Sequence, residues 1–173
     1  MLGTRARKFA LTAHVVSSVG WLGAAGVFLA LGVVGLASGD PEVVRAVYLA
    51  MDAADWAVLV PLALASLATG LVQSLGTRWG LFRHYWVVVK LAMTILGVLV
   101  VVLYTQTLSY QADLARASAG ADLDALRSAS PVLHSAIGMA LLLVAVTLSV
   151  YKPRGETRHG QRARARQWIS EVP

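Results

Sequence analysis

The chain contains no cysteine, which excludes disulfides, thiolate-held iron–sulfur clusters and thiol catalysis and leaves the redox compartment open. Charge is scarce as well. Charged residues make up 14% of the 173 positions, against roughly 25% in an ordinary soluble domain. There is no Walker phosphate loop, no Gly-x-Ser-x-Gly and no His-Glu-x-x-His, so hydrolase or nucleotide chemistry of the soluble type has no support. With only four histidines, a metal path with ligands at successive depths is the weakest of the functional readings. No internal repeat is present.

What the chain has instead is apolar length. Hydrophobic residues make up 57% of it, concentrated in stretches near 9–36, 54–76, 86–108 and 131–151. Each is long enough to cross a hydrocarbon core of about 30 Å at about 1.5 Å per residue. Backbone groups in lipid have to be satisfied within their own segment, so these stretches are expected to be helices. The first follows Arg5, Arg7 and Lys8 like a secretory signal. It is far longer than the roughly 7–15 apolar residues of a signal core, so a retained helix is expected. The fold class is therefore all-α: a transmembrane four-helix bundle over residues 1–151, followed by a basic, mostly disordered cytoplasmic tail over 152–173.

Basic residues set the orientation. Arg5, Arg7 and Lys8 precede the first stretch, Arg78 and Arg83 lie between the second and third, and Lys152 with five arginines follows the fourth. The other two loops hold only Arg45, Arg116 and Arg127. The positive-inside rule then places both termini in the cytoplasm, with the protein in the cell membrane. The net charge of +6 is thus a topology signal, and no specific nucleic-acid partner is expected. The partner is the lipid bilayer, whose anionic headgroups attract the tail at about 1 kcal/mol per basic residue near the surface.

Along the chain, Gly20, Gly23 and Gly26 in the first helix and Ser66, Gly70 and Ser74 in the second mark faces for close helix approach. In the first outer loop, Asp40-Pro41 reads as an N-cap with proline in the first turn. Val43, Val44, Val47, Tyr48 and Met51 then fall at helical spacing, predicting a short interfacial helix. Pro61 is placed to kink the second helix. The third helix has room to continue past the membrane through 111–117.

Depth sorts the polar residues. His14 lies five residues beyond Phe9 and Lys90 four beyond Trp86, so both sit roughly 6–8 Å inside the inner border on helices that run the same way. Thr69, Gln73 and Thr147 reach about the same level. Asp52, Asp55, Trp56, Tyr104, Gln106, His134 and Ser135 form a second level near the outer border. His14 and His134 are about 15 Å or more apart along the normal and do not suit the two axial positions of one haem. Each candidate has a plain reading beside a functional one. Lys90 is within snorkelling reach of the inner border, His14 suits a hydrogen-bonded packing role, and His84 beside Arg83 and Tyr85 suits an interfacial anchor. His134 and Asp55 stand near enough to water for structural roles. Ionisable groups inside a membrane are nonetheless functional candidates because their burial is costly, and two of them at one depth single out His14 with Lys90.

The arrangement His14-x6-Trp21-x-Gly23 resembles the first helix of the HemJ-type protoporphyrinogen oxidases and the copper-resistance D family. The aromatic stretch from Trp79 to Trp86 followed by Lys90 is similar to the same grouping, and to four-helix membrane proteins of actinomycetes without an assigned activity. The resemblance covers the four helices and not the tail. It implies haem b in the bundle, with His14 as the axial iron ligand and Lys90 near the porphyrin or its carboxylates, where a cation raises the haem potential. The chain departs from the HemJ pattern in having no histidine after Lys90 in that helix, which weakens porphyrinogen oxidation as the activity. Two functions follow. One is a haem- or quinone-associated redox protein with a membrane redox partner, using His14 and Lys90 between the first and third helices, with Trp21, His84 and His134 as second choices. The other is a non-enzymatic structural or assembly protein in which the polar groups serve packing.

Overall fold

The computed structural model describes residues 3–76, 80–117, 126–153, 155–158, 160 and 161. Four helices cross the molecule: α1 (Thr4–Ala37), α2 (Pro41–Gly76), α3 (Tyr85–Ala117) and α4 (Ser130–Tyr151), each long and apolar enough to span a membrane. No strand is present among the described residues. Large apolar side chains such as Val16, Leu64, Leu103 and Val150 point outward. That much exposed apolar surface is untenable in water and ordinary in lipid, and the chain is built as a multi-pass integral membrane protein.

The helices stand in a square in the order α1–α2–α3–α4. Sequence neighbours pack side by side and α4 closes back onto α1, whereas α1 and α3, like α2 and α4, lie across the diagonal with no Cα pair within 8 Å among the described residues. Small residues set the approach. A Cβ added at Gly32 of α1 would lie 3.2 Å from the backbone nitrogen of Val132 in α4, and one at Gly20 would lie 3.1 Å from Leu62 in α2. Across the diagonal, Trp21 fills the centre, with its indole edge 3.1 Å from where a Cβ on Gly97 of α3 would stand.

The helix expected in the first outer loop begins at Pro41 behind its Asp40 cap, whose carboxylate accepts from the Glu42 amide at 2.9 Å. It does not end before the second helix. Residues 41–76 form one continuous rod of 36 residues, interrupted only by a π turn over Asp55–Leu59 in which the Val60 amide donates to Asp55 O. Pro61 follows at once. It has no amide hydrogen to donate, and its ring crowds the carbonyl four residues earlier; a widened turn relieves that crowding where an α turn would not. The anticipated break therefore takes the form of a π turn.

Beyond the start of α4, three helices keep going. The first turns of α2 and the last turns of α3 pack around Val44, Tyr48, Ala115 and Leu126. Asp52 accepts from Ser109 at 2.8 Å and pairs with Arg116 at 3.0 Å. At the opposite end, the start of the tail folds back on the α2–α3 connection: Thr157 N donates to Arg83 O at 3.0 Å, and the Thr157 hydroxyl donates to Phe82 O. Residues 155–158 are thus held by contacts, while 162–173, where most of the expected disorder falls, lie outside the described residues, as do Arg78 and Trp79.

Candidate functional site: an apolar cavity around Asp55

His14 and Lys90 do stand at one level. Each lies seven residues before a member of the Trp21–Gly97 contact, on helices running the same way. They are on diagonal helices, however, and each turns to a different neighbour. His14 Nδ1 is 3.1 Å from Ser66 O and 3.1 Å from Thr69 Oγ1, both on α2, and its ring lies over Gly70, where a Cβ would come within 3.2 Å of it. Ser66 O can only accept, and the Thr69 hydroxyl hydrogen is given to Ala65 O at 2.6 Å. Nδ1 therefore carries the hydrogen, and Nε2 keeps its lone pair. Ser18 with Ser66 at 2.8 Å, and Gln73 donating to Ala10 O at 3.2 Å, extend this polar seam between α1 and α2. Lys90 Nζ instead donates to Ser149 Oγ of α4 at 3.2 Å and lies 5.9 Å from the centroid of the Trp86 ring. His84 stacks against Trp86 with centroids 6.4 Å apart, near the α2–α3 connection.

The cavity is elsewhere. About 280 Å³ of space opens among all four helices at the second polar level. Trp21 and Phe28 of α1, Leu59 of α2 and Leu142 of α4 supply apolar walls, and the polar lining is Asp55, Tyr104, His134 and Ser135. Of the sequence candidates, Trp21 and His134 reach it; His14, Lys90 and His84 do not. Trp56, 61% exposed, faces away.

Each ionisable residue of the wall but one is anchored. Tyr104 donates to Ser130 Oγ at 2.9 Å. His134 Nδ1 lies 2.9 Å from Ser130 O, one turn earlier, and its ring stacks on Tyr104 at 4.0 Å between centroids and 20° between planes. Asp55 is the exception. Its side chain is in a residue only 1% exposed, and both carboxylate oxygens are buried with no hydrogen-bond partner among the described residues. One turn earlier on the same helix, Asp52 takes both the serine and the arginine. The π turn begins at Asp55, so the widened turn and the unpaired acid coincide, as π turns often do with functional positions.

The mouth of the cavity can be read from exposure. Its exposed lining residues, Leu96, Val100, His134 and Ile137, belong to α3 and α4. The opening thus lies between these two helices and faces sideways, toward lipid. Among the described residues, no three histidine or acidic side chains gather as a metal cage would need.

Sequence reasoning placed Asp55 at this level, near enough to water for a structural role, whereas the structure buries it. Nothing in the sequence marked it as buried; Pro61, six residues on, marks only the irregular turn in which it sits. No protein-family model matches the chain, and no curated protein or solved structure matches it.

A buried carboxylate without a partner costs stability. Asp55→Leu is therefore expected to stabilise the ligand-free protein by about 1–3 kcal/mol, seen as a higher Tm in detergent. An unchanged or lower Tm would mean that the carboxylate is satisfied where it stands.

Proposed function

We propose that this chain is a cell-membrane protein that binds a small, mostly apolar molecule in the cavity around Asp55, taken in from the lipid between α3 and α4. The observation that carries this reading is a largely apolar space with one unsatisfied acid on its wall. A preformed apolar pocket with a few convergent polar groups is the usual form of a small-molecule site. About 280 Å³ is just below the roughly 300–1,000 Å³ range for drug-sized ligands, so the occupant is about the size of one ring with a short substituent. A purely structural bundle would have little reason to keep such a space, since unfilled apolar volume costs packing energy.

Gly138 provides the test. It lines the cavity, and a Cβ there meets nothing within 4 Å, so Gly138→Leu starts its side chain in open space and takes up cavity volume. Neopentylbenzene, a neutral probe of suitable size, is expected to raise the Tm of the detergent-purified protein by about 5 °C or more at about a hundredfold excess over its Kd. Gly138→Leu should abolish the shift. Equal shifts in both proteins would place binding elsewhere, and no shift in either would favour the structural or assembly role.

A second reading keeps the redox function, as haem b held by His14 with a quinone or another membrane redox partner. What supports it is the tautomer: Nδ1–H given to a backbone carbonyl leaves Nε2 available, the arrangement usual for imidazole ligands. Lys90, at the same level with no ion pair among the described residues, suits a propionate. His14 would hold the haem iron, and the resemblance to HemJ-type proteins points to the same residue. Protein from haem-supplemented cells should then show a Soret band that His14→Ala removes; a colourless preparation would exclude this reading.

The orientation proposed is both termini inside, carried by the lysine and arginine asymmetry. The segment 41–54 then lies at the outer surface, beside the last turns of α3. Because the chain lacks cysteine, single cysteines at Gly3 and Gly39 can be labelled one at a time. Position 39 should react with an impermeant maleimide on intact cells and position 3 only after permeabilisation. The reverse pattern would invert the topology.

A further inference from the structure

The charge of the missing partner can be read from how the protein's own cations are used. Asp55 needs either a proton or a cation, because an ionised carboxylate alone in an apolar enclosure is prohibitively costly. Among the described residues no cation hydrogen-bonds to it. Arg116 is held by Asp52 at 3.0 Å and by Asp113 at 2.7 Å. Lys90 is 14 residues before Tyr104 on α3, about 21 Å away along the helix, and is engaged with Ser149. The titratable groups around Asp55 are Asp52, one turn away on its own helix, and, on the cavity wall, Tyr104 from α3 and His134 from α4, while the α1 wall is Trp21, Ala25 and Phe28. Tyr104 and His134 are tied to Ser130 and leave both oxygens of Asp55 unmet.

The rest of the wall suits a cation with an apolar body. Trp21, Phe28 and Tyr104 bring three aromatic rings to the cavity that Asp55 also lines, and aromatic faces attract cations as carboxylates do. The lateral mouth at Leu96, Val100 and Ile137 admits a molecule that already partitions into lipid.

We propose that the cavity binds a lipophilic ammonium, a small amine whose cation pairs with the Asp55 carboxylate while its hydrocarbon part lies against Trp21, Phe28 and Leu142. In its absence a proton takes the place of the cation, so ligand and proton exchange at one carboxylate. This assignment rests on the cavity reading and names the ligand class for it.

The test compares two probes of the same shape, benzyltrimethylammonium and its uncharged carbon isostere neopentylbenzene, on the full chain in detergent. Affinities are read from the dose dependence of the Tm shift. Wild type should bind the ammonium more tightly than the isostere. Asp55→Asn should weaken the ammonium by about tenfold or more, as loss of a buried charge partner does, and leave the isostere unchanged. If wild type binds the ammonium no better than the isostere, or Asp55→Asn binds it as well as wild type, the ammonium assignment is overturned and the cavity reading stands. If neither probe shifts wild type, both fall. The wild-type comparison decides the matter even if the variant does not fold.

Discussion

A segment that crosses lipid has to close every backbone hydrogen bond within itself, and this requirement organises the whole molecule. It makes each of the four apolar stretches a helix, and it makes any residue that cannot join the ladder conspicuous. Pro61 is such a residue in the middle of α2. The helix absorbs it with a π turn over Asp55–Leu59 rather than with a break, and that turn starts at the acid on the cavity wall. A local backbone constraint and the feature with most functional promise therefore meet at one point of the fold.

Around that point the bundle is asymmetric. On the side of His14, α1 and α2 are joined by a dense set of small polar contacts through Ser17, Ser18, Ser66, Thr69 and Gln73, with Gly70 giving the imidazole room. On the side of the cavity the helices are spaced by Trp21, whose indole bridges the diagonal to Gly97. A large side chain at the centre of a square bundle holds the helices apart on either side of itself, and small residues such as Ala25 and Gly138 beside it leave the space unfilled. The polar seam offers rigidity. The cavity offers a buried acid with no hydrogen-bond partner among the described residues.

Much of the fold was legible in the sequence. The four spans, the Asp40-Pro41 helix start, the extension of α3 over 111–117 and the common level of His14 and Lys90 all follow from hydropathy, capping chemistry and a fixed rise per residue. The site was less legible. Asp52 and Asp55 look alike as a pair of acids near a helix start, yet Asp52 meets Arg116 and Ser109 from α3 and Asp55 meets none of them. His14 and Lys90 looked like one site because depth is readable from sequence, whereas the angle at which each helix faces its neighbours is not.

The sequence by itself determined how many times the chain can cross a membrane, which residues share a level and where the helix ladder is interrupted, because these depend on spacing along one chain. Tertiary structure decided which residues of a level meet. It put α1 and α3 on a diagonal, so that His14 turns to α2 and Lys90 to α4. It also enclosed Asp55 among four helices with no hydrogen-bond partner among the described residues. The reason is rotational: a level along the membrane normal is set by counting residues, but a contact is set by the rotation of each helix about its own axis, and that is decided only when large side chains such as Trp21 find small ones such as Gly97 to lie against.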